Sequence, residues 1–241
     1  MTNIVLGYSN QIDSSTLATT TGTWSASFPQ ANLKNKLLSK IALTTTNSLV
    51  MTFTATAIKC VGVIRTNLPL GTTYRLVIGT YDSTSLTTIV DKQDLIFYIP
   101  TAQTGTATLT ITSTQPISIG RLFAGTAFSP SVNNTYGSSL GYQTKTTFDV
   151  SIGGIEYPKV LPMARTFSFT LDWLSSAEAL GTVLEIQRVS DITAEILLIA
   201  DSSDTAYGYR RNFMGRLSTL SALKNPYAGY HQGGFEIVEI L

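Results

Sequence analysis

The first half of the chain is a series of short segments in which apolar and polar residues tend to alternate, with turn-forming residues between them. Such alternation is typical of β-strands, whose successive side chains point to opposite faces. The segments are residues 49–55, 58–64, 74–80, 95–99, 106–112 and 117–124. The connections are too short for the helical crossovers that parallel strands require. We therefore predict an antiparallel β-sandwich of the jelly-roll kind.

The composition favours strands as well. The chain of 241 residues contains 37 Thr and 24 Ser. Thr suits pleated, half-buried surfaces, and Ser suits turns. The predicted fold class is therefore mainly β.

A change in charge locates a domain boundary. Residues 1–125 carry eight basic and four acidic side chains, whereas residues 126–241 carry eight and eleven. Residues 129–141, between the halves, are rich in turn formers. We predict a β-sandwich domain over residues 1–128, a linker or long loop over 129–141, and a second domain over 142–241.

The second half mixes strand and helix. Residues 165–173 alternate like a strand, and residues 175–189 follow with helical spacing of apolar side chains. Ser175 or Ser176 can cap this helix, with Glu178 in its first turn. Residues 195–200 and 233–241 are predicted strands, with Phe235 and Ile237 buried. This half is expected to be an α+β domain with one principal helix.

Several classes of protein are disfavoured by composition. A formal net charge of +1 supplies no basic excess for neutralising nucleic-acid phosphates. A single cysteine, Cys60, excludes an internal disulfide and a cysteine-based zinc site, and a single histidine, His231, excludes multi-histidine metal sites. The beginning of the chain lacks the features of a secretory signal, and no apolar run approaches the ~18 residues of a membrane span. We expect a soluble protein made in a cytoplasm, without membrane insertion.

The search for catalytic chemistry is mostly negative. His231 lies in a Gly-rich aromatic loop, and no Gly-x-Ser-x-Gly elbow or phosphate-binding Gly-Lys-Ser/Thr loop occurs. Asp201 and Asp204 fit a turn better than a catalytic or calcium-binding pair. Cys60 lies in an apolar run that is typical of a core residue. We predict no catalytic residue, no cofactor and no metal, and a protein that is not an enzyme.

Two aromatic segments are candidates for contact with a partner, because Tyr and Arg are frequent anchors of interfaces. One segment could pair with acidic surface or be a solvated hairpin, and the other could offer its rings to a sugar or pack on a neighbouring subunit. The candidate interface residues are Tyr207, Tyr209, Arg210, Arg211, Phe213, Tyr227, Tyr230 and His231.

Several motifs together resemble those of tailed-bacteriophage tail proteins. They are residues 24–33 (Trp24 through Phe28-Pro29-Gln30 to Leu33), 41–43, 60–68, 165–175, 199–204, 209–218 and the closing 234–239. The resemblance implies an N-terminal galactose-binding-like (discoidin-like) β-sandwich and a C-terminal tail-tube-like domain. It also implies a virion structural protein of the distal tail, tail tip or baseplate. Copies would assemble into a ring that connects tube, hub or fibres and contacts other tail or baseplate proteins.

The low charge supports an assembly role independently, because surfaces covered by neighbouring subunits need few charges. The alternative is a carbohydrate-binding module that attaches the particle to host surface glycans. No sugar pocket can be assigned to particular residues from the sequence.

Overall fold

The structure, a computed structural model, describes residues 3–241 and divides them into two compact units. The first unit contains the residues up to Ser129 together with Glu195–Met214, and the second contains Pro130–Ala194 and Gly215–Leu241. The predicted division placed all of residues 142–241 in one domain. In the structure, Glu195–Met214 packs with the first unit instead.

The strands and helices occur along the chain in this order. They are β1 (Val5–Tyr8), two 3-10 turns (Gln11–Asp13 and Gln30–Lys34), β2 (Leu17–Thr21), β3 (Ala42–Leu43), β4 (Ser48–Thr66), β5 (Thr73–Ile78), β6 (Tyr81–Asp82), β7 (Leu86–Thr87), β8 (Leu95–Thr112), β9 (Ser118–Phe128), β10 (Ser139–Gln143), β11 (Thr147–Val150), β12 (Glu156–Lys159) and β13 (Ala164–Ser175). A helix α1 follows, with a π-helical part (Ala177–Val183) and an α-helical part (Leu184–Ser190). The chain ends with β14 (Ile196–Ile199), α2 (Gly208–Arg211), β15 (Phe213–Leu217), β16 (Lys224–Tyr227) and β17 (Tyr230–Glu239).

The first unit is an antiparallel β-sandwich, as predicted. Strand β4 pairs with β8 and β9, β8 pairs with β5, and every one of these pairings is antiparallel. Side chains from these strands form a continuous apolar core that includes Phe53, Leu76, Leu109 and Leu122. This sheet-and-core arrangement follows from the alternation in the sequence, because one face of each strand is apolar.

Two strands are longer than predicted. The segments 49–55 and 58–64 form the single strand β4, and 95–99 and 106–112 form the single strand β8. The register between the two strands shifts on either side of Ile58, where Ala57 has a φ of 52°. Pro100 lies in this irregular part of β8, where a proline that cannot donate a ladder hydrogen bond is tolerated. The turn-like residues therefore mark bulges rather than strand ends.

The returning segment completes the first unit. Strand β14 is buried throughout and pairs with β1, which pairs on its other side with β9. Arg121 of β9 is fully buried and donates to both carboxylate oxygens of Glu195, with Nε–Oε1 and Nη2–Oε2 distances of 2.8 Å. Asp13 lies 2.8 Å from the same guanidinium. A buried charged pair thus holds the residue just before β14 against β9.

The second unit contains a sheet, a helix and a separate hairpin. Strand β13 pairs with β10 and β17, and β17 also pairs with β16 and with the last three residues of β15. Phe235 and Ile237 are buried, as predicted from the terminal alternation. Within the described part of the chain, strands β11 and β12 pair only with each other, in a two-stranded sheet. Residues 139–141 of the predicted linker belong to β10.

The predicted principal helix is confirmed as the 14-residue α1, and its start is fixed by a capping box. The Ser175 hydroxyl accepts a hydrogen bond from the Glu178 amide at 3.3 Å, and the Glu178 carboxylate accepts from the Ser175 amide at 3.0 Å. This reciprocal pair satisfies two donors that a helix start otherwise leaves unpaired.

Candidate functional site

The first unit contains a cavity of about 740 Å³, which opens between the β5–β8 region and the returning segment 199–212. A cavity of this size can hold a small ligand of one or two rings. Aromatic side chains supply much of its wall. They are Tyr74, Tyr81, Phe97, Tyr98 and Tyr209.

Strand alternation explains how aromatic rings reach both the core and the cavity. In β8, Leu95, Phe97 and Ile99 are buried, whereas Ile96 and Tyr98 are half-exposed. Tyr74 of β5 packs edge-on against Phe97, with ring centroids 5.7 Å apart. Burial raises the pKa of the Tyr74 phenol. The pKa of the Tyr81 phenol is raised mainly by burial and further by the negative charge of Asp82. These phenols are therefore neutral near pH 7.

Three polar groups of the wall keep hydrogen-bonding capacity for a ligand. The Gln93 carbonyl oxygen accepts from the Ile89 amide at 2.8 Å, which fixes the side chain. Among residues 3–241, no partner contacts the Gln93 amide nitrogen or the hydroxyls of Tyr81 and Tyr98. The wall thus combines ring faces with hydrogen-bonding groups whose capacity the chain itself does not use.

Two carboxylates also line the cavity. Asp94 accepts from the Arg65 amide at 2.6 Å. Asp204 accepts from the Tyr207 amide at 2.8 Å and from Arg211 Nη1 at 2.9 Å. The Tyr207 amide contributes most to lowering the pKa of Asp204; burial opposes it, and Arg211 lowers the pKa further. Asp204 is therefore ionised at neutral pH.

The first group of predicted interface residues lies partly at this cavity. Residues 208–211 form the short helix α2 instead of a hairpin, and Tyr209 lines the cavity. Arg210 donates to the Tyr209 hydroxyl at 2.9 Å, and Arg211 pairs with Asp204. Tyr207 is exposed, whereas Phe213 is fully buried and therefore contributes to the core of the chain.

The second group lies in the second unit, beside Trp173, whose contacts no pattern in the sequence indicates. Trp173 stacks on Tyr227 with a centroid distance of 5.8 Å and meets Tyr230 edge-on at 5.6 Å. His231 Nε2 lies 3.3 Å from the Ser176 hydroxyl. The pairing of β13, β16 and β17 brings these residues together, and Trp173 remains 46% exposed. The alternation of residues 165–173 placed Trp173 on a strand without indicating these neighbours.

The cavity itself was not predicted from the sequence. Its wall comes from residues 74–100 and 199–212, two segments that lie far apart in the sequence. The only signal was the cluster of Tyr and Arg at 207–211, of which Tyr209 reaches the cavity. The other wall tyrosines looked like ordinary strand residues.

Burial raises the pKa of the Cys60 thiol to about 12, against a smaller opposing effect of its hydrogen bond to Gly125, so the thiol is protonated and unreactive. Among residues 3–241, no three His, Cys, Asp or Glu side chains gather as metal ligands. Over the same residues, no helix is long and apolar enough to cross a membrane.

No family model and no curated protein matches the chain. Solved structures do resemble it. The family 32 carbohydrate-binding module of NanJ from C. perfringens, in complex with galactose, is 11% identical over 51% of this chain and 99% of that chain, with a TM-score of 0.41. The lectin domain of lectinolysin is 7% identical over 50% and 98%, with a TM-score of 0.39.

A third structure extends over almost the whole chain. The fucolectin from the serum of Morone saxatilis (striped bass) is 9% identical over 96% of this chain and 92% of that chain, with a TM-score of 0.39. The assignment of the first unit as an antiparallel β-sandwich rests on its own strand pairings. That the chain is a phage tail protein stays a prediction.

Proposed function

We propose that the chain is a non-enzymatic carbohydrate-binding protein and that the cavity of its first unit holds the sugar. One observation carries this proposal: the wall combines several tyrosine rings with the unpartnered hydrogen-bonding groups of Gln93, Tyr81 and Tyr98. Sugars present apolar C–H faces that pack on aromatic rings, and hydroxyls that need donors and acceptors at their edges. The similar structures include a module in complex with galactose, and that ligand belongs to that protein.

Glycan-array binding by the full chain tests this proposal. We expect selective binding to a few glycans, and at least a tenfold loss in Tyr98→Ala, because the ring and its hydroxyl both leave the wall. Tyr142→Ala is the matched control, since Tyr142 is exposed on β10 in the other unit. The proposal would be contradicted if the unmodified chain, Tyr98→Ala and Tyr142→Ala bound glycans equally well, or if none of the three bound any glycan.

A second role is proposed for the second unit, namely assembly with neighbouring copies of the chain. Strands β11 and β12 are exposed along their whole length, and Phe148, Val150 and Pro158 share one face with Glu156, through the pairings of Phe148 with Pro158 and of Val150 with Glu156. A two-stranded sheet is marginally stable alone, and three exposed apolar side chains on one face favour contact with another subunit. This role agrees with a ring-forming component of a bacteriophage virion tail, as the sequence resemblance implies.

Measuring the oligomeric state of the protein tests this second role. Light scattering on a sizing column is expected to give a defined oligomer, alone or with an added tail protein. Phe148→Asp should dissociate it, whereas Thr147→Asp, on the polar face of the same strand, should not. A protein that is monomeric under both conditions would remove the assembly role and leave the sugar-binding proposal standing.

A further inference from the structure

The second unit carries an exposed ring cluster, defined as Trp173, Tyr227 and Tyr230, which neither proposed role uses. Trp173 lies on β13, Tyr227 on β16 and Tyr230 on β17, the strand between them. The side chains of Trp173 and Tyr230 are 46% exposed, and that of Tyr227 is 62% exposed. Large aromatic side chains are buried on average, so three half-exposed rings in contact indicate a ligand outside the chain.

A β-bulge brings Trp173 to the surface. Between Leu171 and Leu174, β13 advances three residues while its partner β17 advances two, from Gly233 to His231. Both leucines are buried, so the extra residue of β13 interrupts the alternation and leaves Trp173 facing solvent.

Strand β16 has a second bulge, opposite an overlapping part of β17. It advances three residues from Lys224 to Tyr227 while β17 advances two, from Gln232 to Tyr230. Pro226 lies in this bulge, where a residue without an amide hydrogen is tolerated. Bulges commonly re-aim side chains beside binding sites. Two of them at one place on β17 therefore favour a site that displays these rings.

The arrangement of the rings suits a ligand with flat apolar faces and polar edges. The planes of Trp173 and Tyr227 differ by 3°, whereas Tyr230 is turned 80° from Trp173. Because stacked atoms touch at about 3.5–4 Å, the centroid distance of 5.8 Å means that the parallel rings are offset and leave parts of their faces uncovered. Among residues 3–241, the indole N–H and the two phenol hydroxyls of the cluster have no hydrogen-bonding partner.

The size of the ring cluster separates a small ligand from a protein partner. Three half-exposed rings offer roughly 300 Å² of surface, whereas a stable protein interface needs about 800 Å² from each partner. A pyranose ring presents C–H groups on its faces and hydroxyls at its edge, which matches the uncovered ring faces and the unused N–H and O–H groups.

We propose that the ring cluster is a second glycan-binding site, which holds an oligosaccharide by stacking on Trp173 and Tyr227. The site lies entirely in the second unit and does not depend on the cavity. An open cluster covers fewer sides of a sugar than a cavity does, so its affinity is lower. Its contribution is greatest on surfaces with many glycans, where two linked sites reinforce each other.

The fluorescence of Trp173 tests this proposal directly, because the chain has only one other tryptophan. That residue is Trp24 in the first unit, whose Nε1 donates to the Thr19 hydroxyl at 2.8 Å. Trp24→Phe leaves Trp173 as the sole indole reporter. The probes are cello-, galacto- and chito-oligosaccharides. With at least one of them, we expect a saturable shift of the Trp173 emission and weaker quenching by acrylamide.

Three further variants locate the binding. In the Trp24→Phe protein, Tyr227→Ala should weaken the sugar affinity measured at Trp173 by at least about tenfold. Tyr142→Ala is the matched control, because Tyr142 is similarly exposed but lies on β10 opposite Arg165, at the other end of β13. Tyr98→Ala, which alters the cavity, should also leave the response unchanged.

A second measurement covers the case in which Trp24→Phe does not fold. Calorimetric titration then compares Tyr98→Ala with the double variant Tyr98→Ala/Trp173→Ala, and the double variant should lose the remaining binding.

Three results would overturn the proposal. A Trp173 emission that responds to none of the three probes would remove the site and leave the cavity to its own test. A response that disappears in Tyr98→Ala would assign the sugar effect to the cavity. An emission that changes with protein concentration and not with sugar would assign the ring cluster to contact between copies of the chain.

Discussion

Arg121 is the largest fully buried side chain among residues 3–241. Its guanidinium is enclosed by Glu195 and Asp13, and Asn10 donates to Glu195 at 3.1 Å while its carbonyl accepts from the Ala124 amide at 3.1 Å. A buried charge is tolerated only with such partners, because an unpaired one costs several kcal/mol. The residue therefore fixes which chain segments meet in the first unit.

Arg121→Met should lower the free energy of unfolding by about 3–5 kcal/mol, since it leaves the Glu195 carboxylate buried without its cation. Urea denaturation measures the change. Arg188→Met is the control, because Arg188 pairs with Glu185 on the exposed surface of α1, where ion pairs contribute about 0–1 kcal/mol. Similar losses of unfolding free energy in Arg121→Met and Arg188→Met would show that burial does not determine how much an ion pair contributes to stability.

Gly7 and Cys60 make a close contact across β1 and β4. A Cβ atom at residue 7 would lie 2.4 Å from the Cys60 sulfur and 3.1 Å from the Leu197 Cβ. Gly7→Ala is expected to destabilise the protein by about 1–3 kcal/mol through overpacking, and Cys60→Ala in the same chain should recover part of that loss.

Gly181→Ala should have the opposite effect on stability. A Cβ at this exposed helical position meets nothing within 4 Å, so the substitution should stabilise by about 0.5–1 kcal/mol. The midpoints of thermal unfolding of the Gly181→Ala and Gly7→Ala proteins measure the two effects. Equal effects of the two substitutions would disprove the proposed role of close packing at Gly7.

At the scale of elements, α1 depends on its first turn. Burial alone would raise the pKa of Glu178, but hydrogen bonds from Ser131 and Ser175, through their amides and hydroxyls, lower it below its ordinary value. A carboxyl whose pKa is lowered by folding stabilises the folded state above its unfolded pKa, and this contribution is lost as the pH falls.

Ser175→Ala should therefore destabilise the protein by about 1 kcal/mol near pH 7, and by less at a pH low enough to protonate the Glu178 carboxyl, whose pKa lies below its ordinary value. Denaturation at both pH values measures the difference. Ser176→Ala is the control, because the Ser176 side chain makes no capping hydrogen bond. A loss in Ser175→Ala that is independent of pH would contradict the role of the Glu178 carboxylate.

At the scale of the whole molecule, the chain passes between the two units three times. Strand β1 lies between β9 and β14, with Leu6 opposite both Phe128 and Leu198. Strands β9 and β14 are both antiparallel to β1 and therefore run parallel to each other, so joining the end of β9 to the start of β14 requires a crossover linker of about a dozen residues.

A truncated chain of residues 1–129 should fail to unfold cooperatively, because β1 loses a partner and Arg121 loses Glu195. Joining residue 129 to residues 195–214 through a Gly-Ser linker of about a dozen residues should restore cooperative unfolding. Near-UV circular dichroism during urea titration distinguishes the two. Cooperative folding of residues 1–129 alone would show that the returning segment is dispensable.

The sequence by itself determined the elements whose signals are local. Alternation predicted the strands and the burial of Phe235 and Ile237, and the Ser175-to-Glu178 spacing predicted the start of α1. Side-chain period and capping act within a few residues, so a single segment carries enough information.

Only the tertiary structure decided the long-range features. The joining of two predicted segments into β4, the return of residues 195–214 and the cavity all depend on pairings between distant residues. Tyr98 and Tyr209 are 111 positions apart and line one cavity only because the core brings β8 and α2 together. The register of strands and the placement of a returning segment are set by packing free energy, which no local pattern encodes.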